Sequence, residues 1–263
     1  MDLCTATLCL FVGLKPSVTE EADMSVLMTN VCQYTGPGSI PVLLRDHGKV
    51  YCHDTSFSDK DIAKRYEANH PGSVALCSQA PKELVAELAD IGANIKTVIH
   101  NDVHPNTPLP IEEIPLEMFQ QSFAALLLFP VELSQQLLPG MKDAKRGRFV
   151  FVTSARYLQP EPGFSVATTI RAATTAFAQS LAREAAPHGI QVNVVAPNYL
   201  YSEAYYPRAR FIDDPAGRAE IAGKVPLGRL GKPEEIGELI AFLASGKSQF
   251  VTGQVIDFTG GWP

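Results

Sequence analysis

Apolar and polar residues follow one another along most of the chain in blocks of two kinds. Short blocks rich in β-branched residues predict strands over residues 25–30, 50–53, 97–101, 148–154, 191–197 and 254–258. Longer blocks, with apolar residues at helical spacing, predict helices over residues 39–47, 59–69, 81–91, 117–142, 166–186 and 233–245. Strands separated by such helices need crossover connections, which produce a parallel sheet. The pattern predicts a single α/β domain, a doubly wound parallel sheet with helices on both faces and ligands at the carboxyl ends of its strands.

The first 23 residues stand apart from this pattern. Residues 3–14 are apolar and have the length of a signal-peptide core, but Asp2 stands where a basic residue is expected and no small-residue cleavage site follows. The apolar run is also too short to span a bilayer. We therefore expect residues 1–23 to be an extension, or the product of an upstream start, before a domain over residues 24–263.

Charge and cysteine content narrow the classes of function. The 263 residues contain 22 Lys and Arg against 28 Asp and Glu, a net charge of −6. This acidity argues against a nucleic-acid or anionic-membrane partner, because both favour a basic surface. The odd number of cysteines and the absence of a CxxC pair predict reduced thiols in a cytoplasmic protein without a metal site; they are Cys4, Cys9, Cys32, Cys52 and Cys77.

Two long irregular stretches follow predicted strands. Residues 105–115 contain four prolines, and residues 201–217 contain several aromatic residues. Loops at this edge of a parallel sheet are placed to form the walls or the lid of a site. The second loop favours a pocket wall more strongly, because exposed aromatic rings are costly.

The turn after the first strand departs from the glycine-rich pattern of a dinucleotide site. In such a site, glycines let the backbone approach the diphosphate. Here Asn30 and Tyr34 occupy the first two glycine positions, and only Gly36 remains. The Tyr34 ring would project into the diphosphate space, although Asp54 still stands at the usual ribose-binding position. The sequence therefore predicts no nucleotide cofactor.

Beyond this turn, a hydroxyl residue at the end of a strand is followed by a cationic residue near the start of a helix. Residues 148–154 form a strand that ends in Ser154, and residues 167–171 open a helix that carries Arg171. This spacing resembles the Ser, Tyr and Lys of the Rossmann-like short-chain dehydrogenase/reductase superfamily, with Arg171 at the Lys position. The resemblance extends over residues 25–263, and includes the segments 226–238 and 250–261.

Three further segments resemble one branch of that superfamily, the halohydrin dehalogenases. They are residues 29–39, which include Tyr34, residues 53–57, and residues 197–203, which read Pro-Asn-Tyr-Leu-Tyr-Ser-Glu. The resemblance implies a lyase that converts vicinal haloalcohols to epoxides with halide release, and opens epoxides with small anions. It also implies that no cofactor is used, and that the chain forms a homotetramer.

The resemblance carries roles to particular residues. It implies that Ser154 holds the substrate oxygen, that a Tyr at position 167 takes the alcohol proton, and that Arg171 lowers the pKa of that Tyr. It implies a substrate pocket with Asp102 and Tyr206. The halide or attacking anion would lie against Tyr34, Pro197, Asn198, Tyr199 and Leu200.

Position 167 departs from the family, because it is Ala167 and not Tyr. Loss of a positioned general base typically lowers the rate by ~10²–10⁴. Either Ala167 is an engineered Tyr→Ala change or the chain is a natural altered homologue, and the otherwise intact set of site residues favours the first. Two alternative functions stay open: an NAD(P)-dependent reductase, and a non-catalytic binding protein on the same fold.

Overall fold

Seven parallel strands form the sheet in a computed structural model that describes residues 25–105 and 107–263. The strand order is β3-β2-β1-β4-β5-β6-β7. This order reverses between β1 and β4, so the predicted doubly wound sheet is confirmed. The predicted extension over residues 1–23 lies outside the described residues. The strands are β1 (Ser25–Met28), β2 (Val50–His53), β3 (Ser73–Leu76), β4 (Ile95–His100), β5 (Gly147–Val152), β6 (Ile190–Pro197) and β7 (Val255–Phe258).

Helices connect successive strands and cover both faces. The α-helices are α1 (Gly36–His47), α2 (Lys60–Asn69), α3 (Pro81–Asp90), α4 (Leu116–Phe123), α5 (Phe129–Asp143), α6 (Ser165–Ala185), α7 (Pro215–Lys224) and α8 (Pro233–Ser245). A π-helical turn (Ala124–Leu128) joins α4 to α5, and a second (Ala209–Asp213) precedes α7. Short 3₁₀ turns occur at Thr55–Ser58, Ile111–Glu113, Ala155–Leu158 and Ala186–His188.

The sheet separates two apolar cores, because successive residues of a strand point to opposite faces. Leu27 and Phe149 belong to the core under α3, α5 and α6. Their neighbours Val26 and Val150 belong to the other core, under α1 and α8. Most residues of the five central strands are buried, as a sheet covered on both sides requires, whereas the edge strands β3 and β7 are only partly buried.

Glycines allow α1 and α8 to cross in close contact. A Cβ atom at Gly38 would lie 2.1 Å from the carbonyl oxygen of Pro233, and one at Gly237 would lie 2.5 Å from that of Gly38. Gly36 is constrained in the same way within its own turn, where a Cβ would lie 2.2 Å from the oxygen of Val31. The remaining glycines of the turn after β1 are therefore required by packing.

One strand and one α-helix of the fold are absent from the sequence prediction. Strand β3 is missed because Ser73 and Ala75 dilute its apolar pattern, although it pairs with β2 along its whole length. Helix α7 is missed because Gly217 and Gly223 weaken its helical pattern, and its residues were assigned in part to the irregular stretch 201–217. Within the described residues, no helix is long and apolar enough to cross a membrane.

Candidate active site

A cavity of about 100 Å³ opens at the carboxyl edge of the sheet, beyond the ends of β1, β4, β5 and β6. The three residues of the predicted catalytic set, Ser154, Ala167 and Arg171, line it. Tyr206 of the long loop after β6 lines it as well. The structure also brings to its walls every residue of the predicted halide set: Tyr34, Pro197, Asn198, Tyr199 and Leu200.

Ser154 stands just beyond the end of β5, in extended conformation, as the cap of the 3₁₀ turn Ala155–Leu158. Its Oγ accepts a hydrogen bond from the backbone N–H of Arg156 at 3.2 Å. A hydroxyl that accepts from the chain keeps its own proton for another acceptor. Ser154 is therefore oriented by its backbone as a donor towards the cavity that it lines.

Arg171 lies one helical turn after Ala167 on α6, so both residues present the same face. The Arg171 guanidinium donates to the carbonyl oxygens of Val152 at 2.9 Å and Asp102 at 2.7 Å. Its Cζ lies 5.3 Å from the centre of the Tyr34 ring. Among the described residues, no carboxylate forms an ion pair with Arg171, so its charge is directed at the cavity.

Asp102 does not line the cavity, and this position differs from the expected one in the substrate pocket. Its carboxylate is buried, accepts from Asn30 Nδ2 at 3.2 Å, and lies 3.5 Å from His100 Nδ1. The backbone carbonyl of Asp102, and not its side chain, contacts Arg171. Asp102 thus connects the turn after β1 to the cation of the site from behind.

The turn after β1 is held shut by internal bonds. Asn30 and Tyr34 both adopt left-handed backbone conformations, with φ of 48° and 55°. Asn101 Nδ2 donates to the carbonyl oxygens of Asn30 and Gln33, at 2.9 and 3.0 Å. The Tyr34 hydroxyl donates to the carbonyl oxygen of Thr153 at 2.8 Å, and burial raises the pKa of Tyr34 to about 12. Tyr34 is therefore a neutral donor and not a base.

These residues do not fit a nicotinamide dinucleotide. The Asp54 carboxylate, at the ribose position, accepts from the backbone N–H of Cys32 at 2.9 Å and from the N–H and hydroxyl of Ser56 at 3.0 and 2.7 Å. It is buried, and three donors of the chain already bind it. The Tyr34 side chain crosses the neighbouring space to reach Thr153. A nucleotide would have to displace both sets of bonds.

The wall formed by residues 197–200 provides a polar donor beside aromatic surface. Asn198 Oδ1 accepts from the backbone N–H of Tyr199 at 3.0 Å, and this bond points the amide nitrogen the other way. Asn198 Nδ2 is buried with no acceptor among the described residues. Tyr199 has a φ of 52° and packs edge-on against Trp262, with ring centres 5.5 Å apart. A donor without a partner beside apolar edges suits a soft anion.

Sequence reasoning missed several cavity residues. His104 lines the cavity, and burial lowers the pKa of its imidazole. Arg156, Phe164 and Thr168 line it too, and the Thr168 hydroxyl is buried without a partner among the described residues. The signal for Arg156 was its position two residues after Ser154, on the same loop. In the described chain, no cluster of His, Cys, Asp and Glu could hold a metal ion.

The sheet topology and the site at its carboxyl edge define a short-chain dehydrogenase/reductase type of protein. The family described as enoyl-(acyl carrier protein) reductase matches residues 58–263. The chain therefore belongs to this family of the short-chain dehydrogenase/reductase superfamily.

The curated relatives include reductases, whereas two similar solved structures are dehalogenases. The 3-oxoacyl-[acyl-carrier-protein] reductase FabG of Thermotoga maritima is 35% identical over 245 residues, covering 89% of this chain and 96% of that protein. With two other curated relatives, the matched segment spans 53% and 49% of their length.

Two solved structures are similar over nearly the whole chain. One, titled a dehalogenation enzyme, has a TM-score of 0.85 and 34% identity, and covers 92% of this chain and 98% of its own. The other is the halohydrin dehalogenase HheC bound to ethyl (2S)-oxiran-2-ylacetate. Its TM-score is 0.86 at 31% identity, with 91% and 97% of the two chains covered.

Proposed function

We propose that this chain has the site of a halohydrin dehalogenase: it binds vicinal haloalcohols or epoxides together with a halide or small anion, and uses no nucleotide. The observation that carries this proposal is the shared cavity, in which Ser154 and Arg171 face Tyr34 and the unpaired amide of Asn198. The structural likeness to a halohydrin dehalogenase with a bound epoxide supports it.

A reductase function has weaker support, although the curated relatives include reductases such as FabG. Hydride transfer needs a bound nicotinamide dinucleotide, whose ribose and diphosphate positions are taken by the internal bonds of Asp54 and Tyr34. A non-catalytic binding protein would share the cavity but would release no halide under any condition.

In the proposed reaction, the alcohol oxygen of a haloalcohol attacks the neighbouring carbon. A C–O bond forms, the C–halogen bond breaks with its electron pair going to the halide, and the hydroxyl proton leaves to a base. Ser154 donates a hydrogen bond to the reacting oxygen and holds it in line with the leaving group. Because the ring closure is intramolecular, this orientation acts by holding the substrate in the conformer that reacts.

Arg171 provides a fixed positive field for the developing alkoxide. Because a guanidinium stays protonated, Arg171 stabilises negative charge but transfers no proton during the reaction. Its two bonds to the carbonyls of Val152 and Asp102 fix its position before substrate arrives. Such preorganised charge is effective because nothing has to rearrange during the reaction.

The departing halide needs hydrogen-bond donors that are themselves shielded from water. Asn198 Nδ2 provides one such donor, and Tyr34 and Tyr199 provide aromatic edges, which carry partial positive charge. Asn198 is 8% exposed, so a halide there would lose most of its water and gain from each donor.

Ala167 leaves the alcohol proton without a positioned phenolate. We expect this chain to pass the proton to water, at a rate lower by ~10²–10⁴ than with a Tyr at this position. A phenol one turn before Arg171 would have its pKa lowered by the guanidinium, since a nearby cation favours the charged form.

The test is bromide release from 1-bromo-2-propanol without nicotinamide, compared between the unchanged chain and Ala167→Tyr. We expect Ala167→Tyr to release bromide and form the epoxide at least ~10² times faster. Ala167→Phe is the matched control, because it fills the same space without a hydroxyl and should stay at the rate of the unchanged chain.

The comparison separates the three functions. Bromide release by Ala167→Tyr alone supports the dehalogenase site and assigns the loss of rate to Ala167. If neither protein releases bromide, the proposed function is wrong and a binding role takes its place. Ketone reduction with NADPH by either protein would favour the reductase.

The proposal includes a homotetramer in the cytoplasm. The segment from α4 to α5 exposes Leu116, Phe123 and Leu128, which supports burial of this face against a second copy. Size-exclusion chromatography with light scattering measures the number of subunits directly.

A further inference from the structure

Arg156 is a cation of the cavity that the dehalogenase reaction does not use. It lies on the 3₁₀ turn Ala155–Leu158, and its backbone N–H orients Ser154. Its guanidinium stacks on the Phe164 ring, with Cζ 3.8 Å from the ring centre. Its side chain is only 16% exposed. This stacking fixes the plane of the guanidinium against one wall of the cavity.

The charge of Arg156 is incompletely compensated within the chain. Glu161 Oε2 lies 3.5 Å from its Nε, but Glu161 is 36% exposed and does not line the cavity. Arg156 Nε is buried and has no hydrogen-bond partner among the described residues. Glu161 is the one carboxylate paired with Arg156 among the described residues, and it is partly exposed, so a second anion inside the cavity can share this mostly buried cation.

The lining of the cavity as a whole has the same bias. Arg156, Arg171 and His104 line it, and none of its lining residues in the described chain is Asp or Glu. Arg171 already donates to two carbonyl oxygens, whereas the side-chain partners of Arg156 among the described residues are the Glu161 carboxylate and the Tyr206 hydroxyl. The two cations therefore have separate roles: Arg171 acts at the reacting oxygen, and Arg156 is available to a group elsewhere on the ligand.

Tyr206 connects this cation to the loop after β6. Burial raises the pKa of Tyr206 to about 12, and contact with the Arg156 guanidinium opposes that rise. Tyr206 also packs against Tyr199 and Phe211, with ring centres 5.8 and 5.3 Å away. A ligand on Arg156 would consequently lie beneath the Tyr206 loop and be shielded from water.

We propose that Arg156 is a specificity residue that binds the carboxylate of an organic acid. The ligand class is a short haloalcohol or epoxide with a carboxylate a few bonds from the reacting carbon. The planar guanidinium fork matches a carboxylate with two parallel hydrogen bonds, a geometry that a spherical halide cannot use. This inference names the substrate class of the proposed function and rests on it.

The test measures binding and needs no turnover. Isothermal titration calorimetry in a halide-free, low-salt buffer compares 3-hydroxybutanoate with 3-hydroxybutanamide, a neutral ligand of the same shape. We expect the full chain to bind the carboxylate at least about tenfold more tightly. Arg156→Gln should remove this preference, and Arg156→Lys should retain only part of it.

Arg65→Gln is the matched control, because it removes the same charge from the exposed surface of α2. It should leave the preference for carboxylate unchanged. Thermal unfolding of each variant establishes that Arg156→Gln is folded.

Three outcomes would overturn the inference: equal binding of both ligands by the unchanged chain, a carboxylate preference that survives Arg156→Gln, or an equal loss of both ligands. The last would make Arg156 a clamp between the Tyr206 loop and the sheet. Failure of the proposed function is distinguishable, since it is measured with a neutral bromoalcohol. If Ala167→Tyr releases bromide from that substrate while calorimetry shows no carboxylate preference, only the role of Arg156 is wrong.

Discussion

Tyr34 combines a strained backbone with a bond that crosses the site. A left-handed conformation costs a residue with a side chain roughly 1–2 kcal/mol, which is why glycine is usual in such turns. Here the Tyr34 hydroxyl reaches the carbonyl oxygen of Thr153 at 2.8 Å, and its ring packs beside the Arg171 guanidinium. The contacts of the side chain offset the strain of the backbone, so the turn after β1 is stable without a ligand.

Tyr34→Phe tests the contribution of that hydroxyl. The change leaves the carbonyl of Thr153 without its donor, and we expect the free energy of unfolding to fall by about 1 kcal/mol. Urea denaturation measures this difference. Tyr205→Phe is the control: Tyr205 is 49% exposed, and its hydroxyl has no hydrogen bond among the described residues, so its change should stay within about 0.5 kcal/mol. Equal losses in the two variants would contradict the role given to the bond.

Individual site residues were predictable where a motif fixes their place. The family resemblance supplied Ser154, Arg171 and the segment 197–200 as site residues, and all of them line the cavity because they follow strand ends or lie on one helix face. The contribution of Asp102 through its carbonyl was not predictable, because backbone contacts leave no signature in the side chain. Arg156 was missed because a stacking partner eight residues later is apparent only after the loop folds.

At the scale of elements, the crossing of α1 and α8 is tightly constrained by two glycines. Gly38 and Gly237 permit backbone-to-backbone approach, which no larger residue allows without moving a helix. Helix α1 begins directly after the turn that contains Tyr34. Its position against α8 therefore determines where the Tyr34 ring enters the cavity.

Gly38→Ala should destabilise the chain strongly. The new Cβ would lie 2.1 Å from the carbonyl oxygen of Pro233, so α1 or α8 must shift, at about 3 kcal/mol or more. Gly140→Ala, in α5, meets no atom within 4 Å and should stabilise the chain by about 0.5–1 kcal/mol through helix propensity. Thermal and urea unfolding measure both. A mild effect of Gly38→Ala would mean that the two helices are loosely packed.

The long, strongly periodic helices were predicted correctly, and so were the short strands β1, β2 and β7, whereas β3 and the π-helical turn were missed. The predicted helix over residues 117–142 corresponds to α4 and α5, but the intervening π-helical turn (Ala124–Leu128) has no sequence signal. Strand β3 is stabilised by pairing with β2 more than by its own residues. Tertiary contacts override local propensity most easily in such short segments.

At the scale of the molecule, the end of the chain supports the wall of the site. Trp262 is 8% exposed and packs against Tyr199, which in turn contacts Tyr206 of the loop after β6. Residues far apart in sequence therefore form one aromatic cluster behind the proposed halide position.

This cluster provides an optical signal, because Trp262 is the single tryptophan of the sequence. If bromide binds beside Asn198 and Tyr199, the emission of Trp262 should change and then saturate as bromide is added at millimolar concentration. Fluorescence titration measures this, with Asn198→Ala as the variant that should lose the saturable part. A strictly linear quenching curve, the same in both proteins, would indicate collision with solvent bromide only.

The fold class followed from the alternation of strands and helices, because crossover connections leave few alternatives. The composition of the cavity did not follow, since it depends on how the loop after β6 packs. Tyr206 and Phe211 position that loop through a contact between their rings, whose centres lie 5.3 Å apart.

The bonds that close the turn after β1 also determine how the stability of the protein depends on the coenzyme concentration in a cell. A reductase whose fold is completed by its coenzyme gains stability in proportion to the logarithm of the coenzyme supply. The bonds from Cys32 and Ser56 to Asp54, and from Tyr34 to Thr153, connect parts of a single chain. Intramolecular bonds do not depend on any metabolite concentration. We therefore expect the half-life of this protein in a cell to stay the same when the concentration of nicotinamide coenzymes rises or falls.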